Sequence, residues 1–279
     1  MHCQLLRREF LRYAVGPACA AVLLPGNPMG KDKKIVLLAG KKSHRAGEHE
    51  YEKGLRLFKY CLETSPNVKG VVIELHTNGW PREAKTLDDA DTIVLFSDGN
   101  GRAKHPFMVG DRMKVIERQM KRGCGLVLIH WSLCLPSELG RRTFLQWVGG
   151  FEDYQNPPRA KGQPVLIEDW SRQAEHPICR GLKPFKIPKD EYYWGGRYLS
   201  DQPGFVPILP FPGDRNTPLW AWAWQRPDGG RGFGFTGGHS HSCWSIEPLR
   251  KAMLNAILWT AKMEVPKEGV ISTVPDHLK

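Results

Sequence analysis

Ten histidines are spread through 279 residues, and five of them lie just beyond three apolar runs that read as β-strands. "GKKSHRAGEHE" (40–50) carries His44 and His49 among Glu48 and Glu50, "LIHWS" (128–132) carries His130, and "GGHSHSCW" (237–244) carries His239 and His241. The other five, His2, His76, His105, His176 and His277, are scattered. Imidazole is the commonest neutral nitrogen ligand and titrates near neutrality, so rings gathered at strand ends can bind a metal or move protons. An extended H-x-H turns both rings to one side, which makes His241 a second candidate for any ion that His239 reaches. Histidine mixed with carboxylates suits zinc, iron or manganese. One histidine alone more often caps a loop or bonds a carbonyl; it is the set that points to function. The acidic pair Asp190 and Glu191 in "KDEYYW" suits either a general acid or base or a solvated turn. "SDGNG" (97–101), with Asp98, has amides that can cradle an anion but is too short for a nucleotide motif. No G-x-S-x-G elbow, no G-x-x-x-x-G-K-[ST] loop and no helix-opening G-x-G-x-x-G occurs.

The elements that must position these residues alternate between strand and helix. "KKIVLLAG" (33–40), "GVVIELH" (70–76), "DTIVLF" (91–96) and "GLVLIHWS" (125–132) are continuous apolar runs, the pattern of buried parallel strands. Residues 48–64 place Tyr51, Leu55, Phe58 and Leu62 at helical spacing, and 110–123 do the same with Met113, Ile116 and Met120 before Gly123. Residues 247–263 predict an amphipathic helix with Leu249, Met253, Ile257 and Ala261 on one face. This alternation predicts an α/β fold in which a mostly parallel sheet is covered by helices on both faces, with ligands at the C-terminal strand ends. Between residues 151 and 230 the chain turns rich in Pro, Gly and aromatics and reads as loops and antiparallel strands decorating the sheet. In "WAWAWQ" (220–225) the alternation puts Trp220, Trp222 and Trp224 on one face, suited to sugar stacking or to packing. The next strand, "GRGFGFTGG" (230–238), pairs with it across Asp228-Gly229-Gly230.

A net charge of +11 raises nucleic acid as a partner, but +4 of it sits before residue 35, the rest is spread along the chain and no block of five like charges occurs, so no nucleic-acid partner is expected. The first 32 residues read as a signal and linker ahead of a domain at 33–265 and a polar tail at 266–279. Arg7-Arg8, then Phe10-Leu11 and an apolar run to Leu24, resemble a twin-arginine export signal, which implies a periplasmic or secreted protein. The run is too short for a permanent membrane span. Of seven cysteines, two lie in that leader. The other five form no C-x-x-C, which argues against a zinc knuckle or redox pair and leaves at least one unpaired in an oxidising compartment.

"GLVLIHWS", "EHPICRGLKPFKI", "DEYYW", "GRGFGFTGGHSHSCW" and "LRKAMLNAILWTAKMEVP", in this order, resemble the trehalose-utilisation (ThuA-like) family over residues 33–265. The resemblance implies a flavodoxin-like fold of the class I glutamine amidotransferase type and a link to sugar catabolism, including 3-keto sugars. His44, His130 and His239 fall where the family carries histidines. True amidotransferases place a nucleophilic cysteine after the fourth strand; here the elbow is Ile129-His130-Trp131 and Cys134 comes four residues later, so glutamine hydrolysis through a thioester is not expected. The resulting expectation is an exported enzyme acting on a small-molecule sugar or 3-keto sugar, as a hydrolase, lyase or isomerase without a nucleotide cofactor. A divalent metal would rest on His44, His130 and His239, with His241 as a further ligand. His49, His130 and Glu191 would move protons, and Trp80, Asp98, Trp131 and Trp244 would line the sugar pocket. The alternative is a carbohydrate-binding protein that keeps the fold without the chemistry.

Overall fold

The structure, a computed structural model, describes residues 31–99, 104–153, 165–167, 175–187, 190–191, 193, 196–210 and 219–279. Residues 1–30, which hold most of the segment expected to be an export signal, Asn100-Gly101 of the "SDGNG" tip and Tyr192 and Trp194 of "DEYYW" lie outside the described residues. The unit from Asp32 onward is built on a seven-stranded sheet. Its strands are β1 (Lys33–Ala39), β2 (Val71–His76), β3 (Thr92–Phe96), β4 (Gly125–Ile129), β5 (Phe205–Pro210), β6 (Leu219–Gln225) and β7 (Arg231–Phe235). Their order is β5-β6-β7-β4-β3-β1-β2. From β2 to β7 every pairing is parallel, while β6 and β5 extend the sheet antiparallel. The parallel part has the flavodoxin-like arrangement, and the order reverses at β1, so a crevice opens between the C-terminal ends of β1 and β3.

Helices cover both faces. Helix α1 (Tyr51–Thr64) packs Tyr51, Leu55, Phe58 and Leu62 onto one face beside α3 (Glu247–Thr260). Helix α2 (Arg112–Lys121) packs Ile116 and Met120 onto the other, with the short helix Phe144–Val148. At about 25 cal/mol per Å2, two apolar layers on β1, β3 and β4 are the main source of stability. Among the described residues, no helix is long and apolar enough to cross a membrane. Among the described residues, all five cysteines are buried and unbridged.

Three details differ from the sequence reading. Helix α3 is buried on nearly every side rather than along one stripe, because residues 178–180 and the chain at Val270 and Ser272 cover its outer side. Asn255 holds that segment, its Oδ1 accepting from the Val270 N–H at 2.9 Å, and Val270 and Leu278 are buried, so the tail is packed onto the domain. The tryptophan stripe is also split. Leu209 pairs with Ala221 and Pro210 with Leu219, so Trp220 is skipped in the ladder and joins the core on α1's side, whereas Trp222 packs on the opposite side. All three tryptophans are buried, and Trp222 and Trp224 donate to the carbonyls of Val148 and Gln146 at 2.8 and 3.0 Å. They are packing residues with no face left for a sugar.

Candidate active site

The four strand ends deliver four loops to one place. Beyond β1, Gly40 lies so close to β3 that a Cβ there would meet the Ser97 Cβ at 2.5 Å, and the chain then carries His44 and His49 up to α1. Beyond β3 comes Asp98, beyond β4 His130, and beyond β7 His239. The first and last loops are joined through their backbones. His49 N–H donates to His239 O at 3.0 Å, His241 N–H donates to Gly47 O at 2.8 Å, and Glu48 bridges Ser240.

His49 and His130 are both fully buried, and both have left-handed backbones, with φ of 48° and 57°. For a non-glycine residue this costs on the order of 1–2 kcal/mol, which the surrounding hydrogen bonds must offset. At the elbow, Ser132 Oγ accepts from Ile129 N–H at 2.9 Å and donates back to the end of β3 or β4. Beyond β7, the buried Asp190 holds the loop that carries His239. Its carboxylate accepts from Gly238 N–H at 2.6 Å and Ser240 N–H at 2.9 Å. Gly238 has φ of 102°, a conformation that glycine adopts without strain. Burial raises the Asp190 pKa to about 6 against the pull of these N–H groups. Asp190→Asn keeps one acceptor and turns an NH2 toward the other N–H. We expect it to lose about 1–3 kcal/mol in urea denaturation at pH 7.5, from one orphaned buried donor; an unchanged midpoint would show that the clamp is dispensable.

Four donors converge. His49 Nε2 lies 2.9 Å from His239 Nδ1 and 3.2 Å from His130 Nε2, and Glu191 Oε2 lies 2.6 Å from His239 Nδ1 and 3.9 Å from His130 Nε2. All four lie within 4.8 Å of one another. Partners outside the group set the tautomers. His130 Nδ1–H donates to Thr236 O at 2.8 Å. His49 Nδ1 faces Asp98 Oδ1 at 3.2 Å and Tyr51 Oη at 2.5 Å, and the Tyr51 and Ser43 hydroxyls themselves donate to Asp98, so Nδ1 of His49 carries a proton. Two Nε2 lone pairs therefore face each other, an arrangement that a shared cation resolves. Tyr193 stacks on His130 with ring centroids 4.8 Å apart, its hydroxyl 3.1 Å from Nε2.

The electrostatics agree with this geometry. Burial, with His49 alongside, lowers the His130 pKa to about 3, which keeps its ring uncharged at neutral pH. Burial opposes a charge on His239, but the hydrogen bond and charge of Glu191, with Asp190 and Glu48, hold its pKa above the ordinary value. Burial likewise works against ionised Glu191 and Asp98, and their histidine and hydroxyl donors bring both below the usual carboxylate range.

The structure thus joins His49, His130, His239 and Glu191, and sets His44 in an adjoining group with His49 and Asp98. Trp131 stands beside them, its ring 5.6 Å from His44 and 5.4 Å from His49. Three expected residues are elsewhere. His241 starts a turn rather than continuing an extended strand, and its Nε2–H donates to Leu278 O at 2.9 Å. Trp244 is wholly buried against Phe58, Phe96 and Phe235. Trp80 packs on Phe107 beneath the Arg112 guanidinium. Cys134 is buried, and burial with the charges of Glu152 and Glu191 raises its thiol pKa far above the usual value, so it is no nucleophile. Ser43, Tyr51, Tyr193 and the clamping role of Asp190 went unread; the only signals for them were the position of Ser43 beside His44 and the tyrosines of "HEY" and "DEYYW".

No curated protein matches the chain in sequence. Among solved structures, a ThuA-like protein of Bacteroides uniformis superposes with a TM-score of 0.59 at 16% identity, over 85% of this chain and 95% of that one. A ThuA-like protein of Parabacteroides merdae gives a TM-score of 0.53 at 15% identity, over 88% of this chain and 94% of the other. At such identities the likeness shows the fold. The family model described as "Trehalose utilisation" matches residues 36–260, spanning β1 through α3 and every residue of the converging group. The chain belongs to the ThuA family.

Proposed function

We propose that this protein is an exported, metal-dependent enzyme acting on a sugar or 3-keto sugar, with His49, His130, His239 and Glu191 holding a divalent cation. Family membership supports a carbohydrate-related role. The observation that carries the metal is the convergence of three imidazole nitrogens and one carboxylate oxygen, two of the nitrogens with tautomers set from outside. A tetrahedral zinc with bonds near 2.1 Å spaces its donors roughly 3.4 Å apart; four of the donor pairs lie between 2.6 and 3.9 Å, and all lie within 4.8 Å. Carbonyl and carboxylate partners behind ligand imidazoles are the usual support of such a site. When bound, the cation supplies Lewis-acid polarisation of a carbonyl or hydroxyl oxygen.

The chain's own groups do the rest. Asp98, Tyr51 and Ser43 keep the proton of His49 on Nδ1 and its lone pair inward. Glu191 and His239, only partly buried, form the side open to substrate, and Trp131 offers a half-exposed face for a sugar ring. Export follows from the Arg7-Arg8 leader, and a reporter fused to residues 1–32 tests it, periplasmic accumulation being the expected result.

Two measurements on purified protein test the site. Elemental analysis after zinc or manganese loading is expected to give one ion per chain, and methyl 3-keto-glucoside is expected to be turned over only by the loaded protein. Absence of retained metal would sink the metal assignment. Retention and sugar binding without turnover would leave a carbohydrate-binding protein.

A further inference from the structure

We propose that the cleft between the start of α1 and the end of β2 is a second binding site, for a small sugar that carries a carboxylate or phosphate group. The sugar body rests on the carbohydrate-related reading above; the negative charge rests on the cleft itself. The cleft measures about 560 Å3, inside the roughly 300–1,000 Å3 usual for small-molecule sites. None of the four converging donors lines it.

Four segments wall the cleft. β1 runs out at Gly40 into Lys41 and Lys42, which form one side. Beyond β2 the chain turns through Asn78 and Gly79, with φ of 60° and 76°, conformations that asparagine and glycine adopt at least cost. Gly79 N–H donates to Ala39 O at 2.7 Å, which folds this turn back toward β1. The first two turns of α1 make the third wall, standing on the buried Tyr51. Leu278 closes the fourth side, buried and held through its carbonyl by His241 Nε2–H at 2.9 Å.

The charges on these walls do not balance. Four cations, Lys41, Lys42, Lys53 and Arg56, meet two carboxylates, Glu50 and Glu52. Both carboxylates are already engaged. Glu50 pairs with Lys42 and accepts from Gly47 N–H at 2.9 Å, and Glu52 accepts from Arg56 Nε at 2.9 Å and Nη2 at 2.5 Å. That leaves Lys41 and Lys53. Among the described residues the Lys41 ammonium has no ion pair or hydrogen bond, and Lys53 Nζ donates to Lys279 O, using one of its three protons. An oxyanion satisfies both ammonium groups at once, which a neutral sugar does not. A metal cation is disfavoured by the same count, since no carboxylate is left over for it. Thr77 Oγ1 accepts from Asn78 Nδ2 at 3.3 Å, so the Thr77 hydroxyl proton and the second Asn78 amide proton can be given to sugar hydroxyls.

The test is calorimetric titration of the full-length protein with glucuronate, glucose 6-phosphate and glucose. At least one of the two acids is expected to bind with a Kd of about 1 mM or tighter, and more weakly as salt is added. The stronger of the two identifies the anionic group. Lys41→Glu and Lys53→Glu should each weaken binding about fivefold or more. Lys41→Glu cannot fail through misfolding, because its side chain is exposed and makes no contact that folding depends on. Lys69→Glu makes the same charge change on an exposed lysine away from the cleft and should bind as wild type does. Absence of binding by both acids overturns the proposal, as does glucose binding equally well. So does an equal loss in Lys69→Glu, which would reduce the effect to overall charge, or binding confined to zinc-loaded protein, which would put the anion on the metal. A chain that retains no metal yet binds an acid defeats the metal reading and leaves this site standing.

Discussion

His130→Ala is expected to give a folded protein that does not retain the proposed divalent metal through gel filtration. Altering a residue that merely supports a ligand typically costs 10–100-fold in metal affinity, and His130 is itself one of the four donors, so the loss should exceed about 100-fold. Tyr193 is stacked on the ring and Cys134 is held as a neutral thiol, so neither takes its place. Folding should survive, because the sheet register on both sides of β4 does not depend on the elbow side chain. The matched comparison is His241→Ala. The pattern G-H-S-H makes the two histidines look equivalent, yet this variant should keep its metal, since its ring faces Leu278 O. Competition against a zinc-binding dye measures both. Equal affinities for wild type and His130→Ala would put the ion elsewhere, and metal loss in His241→Ala would mean that the loop, rather than the donor set, governs retention. Proton and metal compete for any imidazole ligand, and Glu191 raises the His239 pKa above its ordinary value, so affinity should weaken as pH falls.

The parallel strands were legible because β1, β3 and β4 are buried on both faces and so read as unbroken apolar runs; the ends of β3 and β4 then located Asp98 and His130. What the residue pattern does not carry is how loops from distant strands meet. His49 joins the donors because the 44–50 loop pairs with the 238–241 loop across some 190 residues, and no local spacing encodes that pairing. The H-x-H rule failed for a local reason: it assumes extended chain through both residues, and the chain turns at His241. Trp244 and the Trp220–Trp224 stripe show the ambiguity of aromatics, since a tryptophan that fills a core and one that stacks a sugar look the same in sequence. The tail at 266–279 is polar on average, yet Val270 and Leu278 dock it, and Asn255 accepts its backbone.

The second large effect concerns a carboxyl that the proposed chemistry does not use. Glu152 is fully buried; its Oε1 accepts from the Tyr198 hydroxyl at 2.9 Å and its Oε2 has no partner among the described residues. Burial raises its pKa to about 7, with Tyr198 opposing and the Asp153 charge adding. Between the ordinary value of 4.5 and about 7, the native state therefore holds a proton that the unfolded chain releases. Stability must then fall as pH rises through that window and level off above it, by up to about 3 kcal/mol for a shift of this size. Glu152→Gln removes the effect, keeps an acceptor for Tyr198 and changes the volume little. It should match wild type within about 1 kcal/mol at pH 4 and exceed it by up to about 3 kcal/mol at pH 8, measured by urea denaturation at both values. Asp190 and His130 titrate in both proteins, so their contributions cancel in the difference at each pH. A stability difference that stays constant from pH 4 to pH 8 would mean that Glu152 ionises like a solvated carboxyl, and that its missing partner is supplied in solution.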